Sequence, residues 1–315
     1  MSNLKLNDAD YYYEQSHTDT AGFRPSKRLK VNQPGIAKLS QHQKFDLFKR
    51  EVIECLFKND IFRLEFLKTR FPNMFMSMDG MEIACNVASN DMMRWFLVHI
   101  SDTRLLKLPS LCSAMFRRAY HRDDHARNYE GINMMRTIIK YQSEYKKSVS
   151  SQWSEEHLKL WDAMYIKAVN ETYILSSQLN MYEVVTFLES LNIINYTVPV
   201  TIGPEYVAPQ VLAGRTFTIY EYELYYFFNH CLSTKPGSPL YYAYQRRRER
   251  LIRIFELISD QIDPLKVYQP LPGDIGLQTR SFTLIDLIFS CKGDSKMLRE
   301  LVNIFSDRIK PLIEQ

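Results

Sequence analysis

A short pattern recurs along this 315-residue chain and restricts its fold more than any other feature. It is a polar residue, an apolar pair, two variable positions and a second apolar pair. It stands as Asp91-Met92-Met93-Arg94-Trp95-Phe96-Leu97, as Asn133-Met134-Met135-Arg136-Thr137-Ile138-Ile139 and as Lys296-Met297-Leu298-Arg299-Glu300-Leu301-Val302. Glu183-Val184-Val185 with Leu188 is a shorter copy. Apolar pairs one helical turn apart make a wide stripe on one face of a helix. A helix with such a stripe must bury it against neighbours, and one helical hairpin cannot do so alone, so stacking is required.

Each copy follows an earlier helical stretch. Phe45, Phe48, Val52, Leu56 and Phe57 keep helical spacing, and after the polar break Asn59-Asp60 the pattern continues through Ile61, Leu64 and Leu67. The same pairing joins Ile83–Ala88 to Asp91–Leu97, Leu111–Phe116 to Gly131–Ile139, Trp161–Ala168 to Glu183–Leu188, and Phe282–Leu287 to Gly293–Val302. Glycine is scarce at 10 residues, whereas tyrosine and phenylalanine number 20 and 18, so tight-turned strands should be few and rings should supply much of the packing. The expected class is all-α, a series of stacked helical hairpins with second-helix signatures beginning near residues 61, 91, 133, 183, 250 and 296.

Ser238-Pro239-Leu240-Tyr241-Tyr242-Ala243 resembles the T-P-L-H-x-A cue that opens an ankyrin repeat. Glu183-Val184-Val185 and Gly293-Asp294 through Val302 resemble the family's second helix, G-H-x-E-V-V-x-x-L-L. Around the first cue the reading is a helix begun by Pro239, a basic turn, a second helix with Leu251, Ile254, Phe255 and Ile258 on its buried stripe, then a loop to Pro264. The resemblance implies an ankyrin-like solenoid over 39–315, with a partner held on the concave side. The chain departs from the family in its insertions, in the missing starts of most copies, and in Arg247 and Arg248 where the family usually has Gly-His.

Residues 1–38 read as a disordered polar and basic tail, rich in Asn, Asp, Ser and Thr and broken by Pro25, Pro34 and Gly35. Within it Lys27, Arg28 and Lys30 form a short basic run beside Pro25 that resembles a nuclear import signal; the plain alternative is a solvated charged tail. Tyr11-Tyr12-Tyr13 among Asp8, Asp10 and Glu14 reads as a docking or a phosphorylation motif. A long insertion around 192–215 is β-branched and then broken by Gly203-Pro204, Pro209 and Gly214, and reads as a short hairpin or a long ordered loop. The aromatic run from Phe217 to Phe228 reads as a core helix, with an interface as the alternative.

Five dispersed cysteines without a C-x-x-C pair fit reduced core thiols, and no apolar run approaches the ~18 residues that span a bilayer. The net charge of +4 leaves any electrostatic role to local clusters. The densest is Arg246, Arg247, Arg248 and Arg250 with Arg253, in which Arg246, Arg250 and Arg253 would share one helix face. Such a face suits phosphates or an acidic peptide; the alternative is a solvated outer face.

His121-Arg122-Asp123 with Asn128 matches a kinase catalytic-loop string, but no glycine-rich phosphate loop, β-strand lysine motif or D-F-G accompanies it. His121 and His125 have metal-ligand spacing without further ligands nearby. No catalytic, cofactor or metal residues are therefore expected. The expected role is a non-catalytic protein-binding scaffold or adaptor, nuclear or nucleo-cytoplasmic and without a membrane partner. The alternatives are RNA or DNA binding through Arg246–Arg253, or a substrate adaptor of a degradation complex.

Overall fold

The computed structural model describes residues 40–73, 90–99, 108–109, 111–112, 126–203, 214–227, 241–268, 281–290 and 295–313. Outside them lie the tail 1–38, Ile83–Ala88, His121 and His125, Gly237 to Pro239, and Gly293-Asp294. The described residues form ten α-helices and one two-residue strand pair. They fall into two compact units, 1–152 and 153–315.

In the first unit, α1 (Gln41–Lys58) begins in a capping box. Gln43 N–H donates to Ser40 Oγ at 3.2 Å, and Ser40 N–H donates back to Gln43 Oε1 at 2.9 Å. Phe48, Val52, Cys55 and Leu56 make its buried stripe. The helix stops because Asn59 turns left-handed at φ 52°, a conformation that asparagine tolerates better than other residues with a Cβ. Asp60 N–H then donates to Cys55 O at 2.9 Å and Asn59 N–H to Leu56 O at 3.3 Å, closing a Schellman turn. Asp60 also caps α2 (Ile61–Arg70), accepting from Arg63 N–H at 3.0 Å. Two residues thus end one helix and start the next, and α1 packs on α2.

Arg63 ties the pair across its polar side, reaching Glu51 and Glu54. Burial pushes the Cys55 thiol up to about 12, with Arg63 pulling the other way. Cys55 and Cys112 are both buried and free. The helices α3 (Asn90–His99) and α4 (Ala126–Val149) form the second packed pair of this unit. The chain is helical in α4 from Ala126 onward, and residues 117–125 lie outside the described residues.

The second unit is built around α5 (Glu155–Gln178). Its residues 168–177 are buried on every face, the pattern of a helix in the middle of a core. Met181 N–H donates to Ser176 O at 2.8 Å and Asn180 N–H to Ser177 O at 3.2 Å, with Asn180 at φ 56°. This repeats the turn after α1 and leads into α6 (Tyr182–Ser190), which packs back on α5. The insertion then closes as a short hairpin: β1 (Val200–Thr201) pairs antiparallel with β2 (Thr216–Phe217), with Val200 opposite Phe217 and Thr201 opposite Thr216. Residues 204–213 lie outside the described residues.

Thr218 and Glu221 form a capping box that starts α7 (Ile219–Tyr226). Phe217, Tyr220, Tyr222, Tyr225 and Phe227 are buried, so the aromatic run is core. Next come α8 (Tyr241–Ile258), α9 (Leu284–Ser290) and α10 (Ser295–Ile313). Thr283 and Asp286 cap α9 as Thr218 and Glu221 cap α7. On α10, Met297, Leu301, Phe305 and Ile309 recur every four residues and are buried, with the Phe305 ring 5.4 Å from Phe255 of α8. Arg308 donates to the carbonyls of Ser259 (2.6 Å) and Ile262, satisfying backbone just beyond the end of α8.

The helix–basic turn–helix expected over 239–258 is not what forms. One unbroken helix runs from Tyr241 to Ile258, and Arg246 to Arg250 occupy its middle. Between those ends the chain has no Gly, Pro, Asn or Asp, and Arg, Gln, Glu and Leu are good helix formers, so nothing there would make a turn.

The left-handed asparagines that join paired helices, Asn59 and Asn180, give a direct test. Asn180→Ala should lower stability by about 1 kcal/mol, whereas Asn180→Gly should be nearly neutral. Urea unfolding midpoints of the two variants check this, and equal loss in both would refute the strained-turn account.

Candidate functional site

The five arginines singled out in the sequence all lie on α8, and the structure separates them. Arg247, Arg248 and Arg250 are 1%, 7% and 6% exposed, while Arg246 and Arg253 reach solvent. The expected continuous solvent-facing basic face is therefore broken at Arg247, Arg248 and Arg250. For Arg247 and Arg250 the reason lies on other helices, in two carboxylates and a helix end that draw their guanidinium groups inward.

Arg247 is at the centre. Its Nη1 donates to Glu223 Oε2 and to Ser177 Oγ, each at 3.1 Å, and its Nη2 donates to Ser177 O. That carbonyl belongs to the last turn of α5, where the helix dipole favours a cation. The guanidinium also lies 3.4 Å from the centre of the Tyr226 ring. Ser177 uses its single hydroxyl proton toward Glu223 Oε1 at 2.5 Å, which leaves its lone pairs for Arg247. Glu223 is 1% exposed and comes from α7, so one carboxylate joins α5, α7 and α8.

One turn along α8, Arg250 Nη1 stands 3.5 Å from Glu223 Oε1 and its Nε 3.6 Å from Glu189 Oε1 on α6. Arg253 closes the ladder at the surface, donating to Glu189 Oε2 at 2.6 Å. Tyr173 OH donates to Glu189 Oε1 at 3.2 Å. Arg246 lies over the Tyr182 ring of α6 at 5.3 Å.

Burial opposes the charge on Arg247, and the Glu223 carboxylate together with Tyr222, Tyr226 and Tyr182 outweighs it, so the guanidinium holds its proton more tightly than in water. Arg250 follows the same balance, with Glu223 first among the groups that raise it. Burial also pushes Tyr173 and Tyr222 well above the ordinary tyrosine range, so both remain hydroxyl donors; Tyr222 OH donates to Gln178 Oε1 at 2.5 Å.

The polar atoms of this ladder are spent largely on one another, with the buried Arg247 Nε left without a hydrogen-bond partner. Arg247 and Arg250 brace four helices from inside, which leaves Arg246 and the outer end of Arg253 to meet a ligand. Glu223 and Glu189 escaped the sequence reading, being 24 and 64 residues from their arginines. One signal was available for Glu223: a lone carboxylate inside an aromatic run needs a cation, because an unpaired buried charge is expensive. Lys27, Arg28 and Lys30 lie outside the described residues. Among the described residues no group of three His, Cys, Asp or Glu side chains could hold a metal.

Glu223→Leu strands Arg247 and Arg250 and should destabilise the protein by about 3–5 kcal/mol. Adding Arg247→Met should recover part of that loss, because it removes a stranded charge. A double-mutant cycle in urea measures the coupling; strictly additive losses would mean that the pair is not energetically linked. No family model matches this chain, and no curated protein and no solved structure matches it either.

Proposed function

We propose that this chain is a non-catalytic protein-binding scaffold or adaptor, built as a stack of helical hairpins and working in the nucleus or between nucleus and cytoplasm. The observation that carries the reading is the pairing of helices in the second unit. Packing runs within the pairs α5–α6, α7–α8 and α9–α10 and also between adjacent pairs, α5 with α7 and, as extensively as within a pair, α8 with α10. Arg250 and Arg253 reaching Glu189 add side-chain links between α8 and α6. Packing between neighbours is how repeat arrays hold their shape, and a rigid array presents many side chains without an ordering cost on binding.

The first helices of these pairs start at Glu155, Ile219 and Leu284, 64 and 65 residues apart. That is about twice the 33 residues of an ankyrin repeat. The likeness to that family therefore concerns the pairing of helices and the left-handed turn before a second helix, and not the repeat length. Residues 192–215, set into such an array, are the contact element this reading favours, because a long insertion on a rigid frame tends to carry function.

Nucleic-acid binding through α8 is the second reading, and it has only Arg246 and Arg253 left to serve it. Affinity capture of the full chain, with and without nuclease, separates the two. A scaffold retains reproducible protein partners after nuclease treatment and in the R246E/R253E variant. Loss of every partner under both conditions transfers the role to nucleic acid, and failure to recover any partner removes the scaffold reading.

Localisation has its own test. Changing Lys27, Arg28 and Lys30 to Ala should move a fluorescently tagged chain from nucleus to cytoplasm. An unchanged distribution on imaging rules those residues out as the import signal.

A further inference from the structure

The α1–α2 pair leaves a row of large apolar side chains in solvent. Phe62 is 91% exposed, Phe66 56%, Phe57 46% and Ile61 39%. Phe62 and Phe66 are one turn apart on α2, and Phe57 and Ile61 flank the turn that joins the two helices. Four such residues on one hairpin are more than scattered surface apolar groups.

The charges around the row are lopsided. Glu51 and Glu54 are held by Arg63, and Glu54 also by Lys58. Asp60 is occupied in capping α2, and Glu65 accepts from Trp95 Nε1 at 2.8 Å and stands 3.2 Å from His99. The carboxylates beside the row are therefore engaged within the protein. Arg70 is exposed one turn beyond Phe66, and Lys68, half-buried on the opposite flank of the same final turn, holds its Nζ 6.0 Å from the centre of the Trp95 ring. An occupant should bring rings for the row and carboxylates for this cationic end.

Size selects among occupants of that chemistry. The exposed parts of these four side chains come to roughly 400 Å², taking about 200 Å² for a whole aromatic side chain. A stable interface between separate proteins uses about 800 Å² on each side. A second copy or an untethered partner would be held weakly by so small a patch. A tethered segment faces a lower requirement, since a dissociation constant on the order of 1 mM fills a site when the local concentration is also in the millimolar range.

We propose that the acidic, aromatic segment Asp8–Glu14 of this same chain docks on the Phe57, Ile61, Phe62 and Phe66 row. Tyr11, Tyr12 and Tyr13 cover the phenylalanines, and Asp8, Asp10 and Glu14 face Lys68 and Arg70. The tether has a suitable length. Residues 15–39 separate the segment from Ser40, and about 25 residues span roughly 25–30 Å as a coil. Phe57 lies near the far end of the 18-residue α1, about 25 Å from Ser40 at 1.5 Å per residue. Effective concentration is greatest when the span of the tether matches the distance to be bridged. The segment lies outside the described residues, and this docking stands independently of the scaffold reading.

The test uses the full chain with Phe62→p-benzoylphenylalanine, a change at a side chain that is almost wholly in solvent. Irradiation should cross-link position 62 to the peptide containing residues 8–14 within a monomer. The D8K/D10K/E14K variant should lose at least tenfold of that product, and adding K68E/R70E should restore it. Cross-linking to another segment, to a second copy or to nothing overturns the proposal, as does a yield indifferent to charge reversal. Should the substituted chain misfold, carbodiimide coupling in the unaltered chain asks the same question. An amide between Lys68 and Asp8, Asp10 or Glu14 is expected, and its absence is equally decisive.

Discussion

Glu223 carries a full negative charge in a place where water cannot reach it, and the second unit is arranged around satisfying that charge. Removing a carboxylate and a guanidinium from water costs several kcal/mol per ion, and their attraction offsets this only when the remaining donors and acceptors are also met. Here all but the Arg247 Nε are met, and from several helices at once: Ser177 from α5, Arg247 and Arg250 from α8, and Glu189 from α6 through Arg250. An apolar contact between these helices could slide by a residue with little penalty. This network cannot, because a shift along α8 would leave a buried ion unmatched. Its contribution is chiefly to fix which residues face each other.

The same logic extends along α5. Its buried second half contains Asn170, Glu171, Thr172, Ser176 and Ser177, an unusual number of polar groups for a core helix. Each has a destination. Asn170 exchanges hydrogen bonds with the backbone of Asn195, Glu171 accepts from Gly203 N–H at 3.2 Å, and Ser177 serves the ion cluster. Thr172 and Ser176 turn their hydroxyls back to the carbonyls of Ala168 and Thr172, four residues earlier. Asn170 and Glu171 thereby pin the chain after α6 and lead it toward β1, which fixes where α7 can start. The apolar residues of α5 supply the driving force for burial, and its polar ones decide what is buried where.

Helices were legible in the sequence because their signals are local. The apolar pairs of Glu183–Leu188, the break at Asn59-Asp60 and the stripe ending in Ile258 each act within a few residues of themselves. The aromatic helix was legible for the same reason. The arginines of α8 were misread because their environment is set by Glu223 and Glu189 on other helices, and a charge run viewed alone looks solvated. The turn placed between Tyr244 and Leu251 failed for a different reason: a change from aromatic to basic composition resembles a boundary, yet no residue there breaks a helix. What remained hidden was tertiary in origin, and the sequence displays it only as a carboxylate with no visible partner.

One feature of α5 bears on motion as well as on architecture. Its first half exposes Leu160 and Met164 to solvent, whereas residues 168–177 are enclosed on all sides. A single run of backbone hydrogen bonds therefore contains two regimes of amide exchange. The outer turns, where Trp161 is the one buried side chain, have fewer contacts to break before they open. The inner turns can open only when the helices around them separate, so their exchange is tied to cooperative unfolding of the unit. A helix of this kind behaves as a mobile arm anchored in a rigid socket, and the boundary between the two falls close to Ala168.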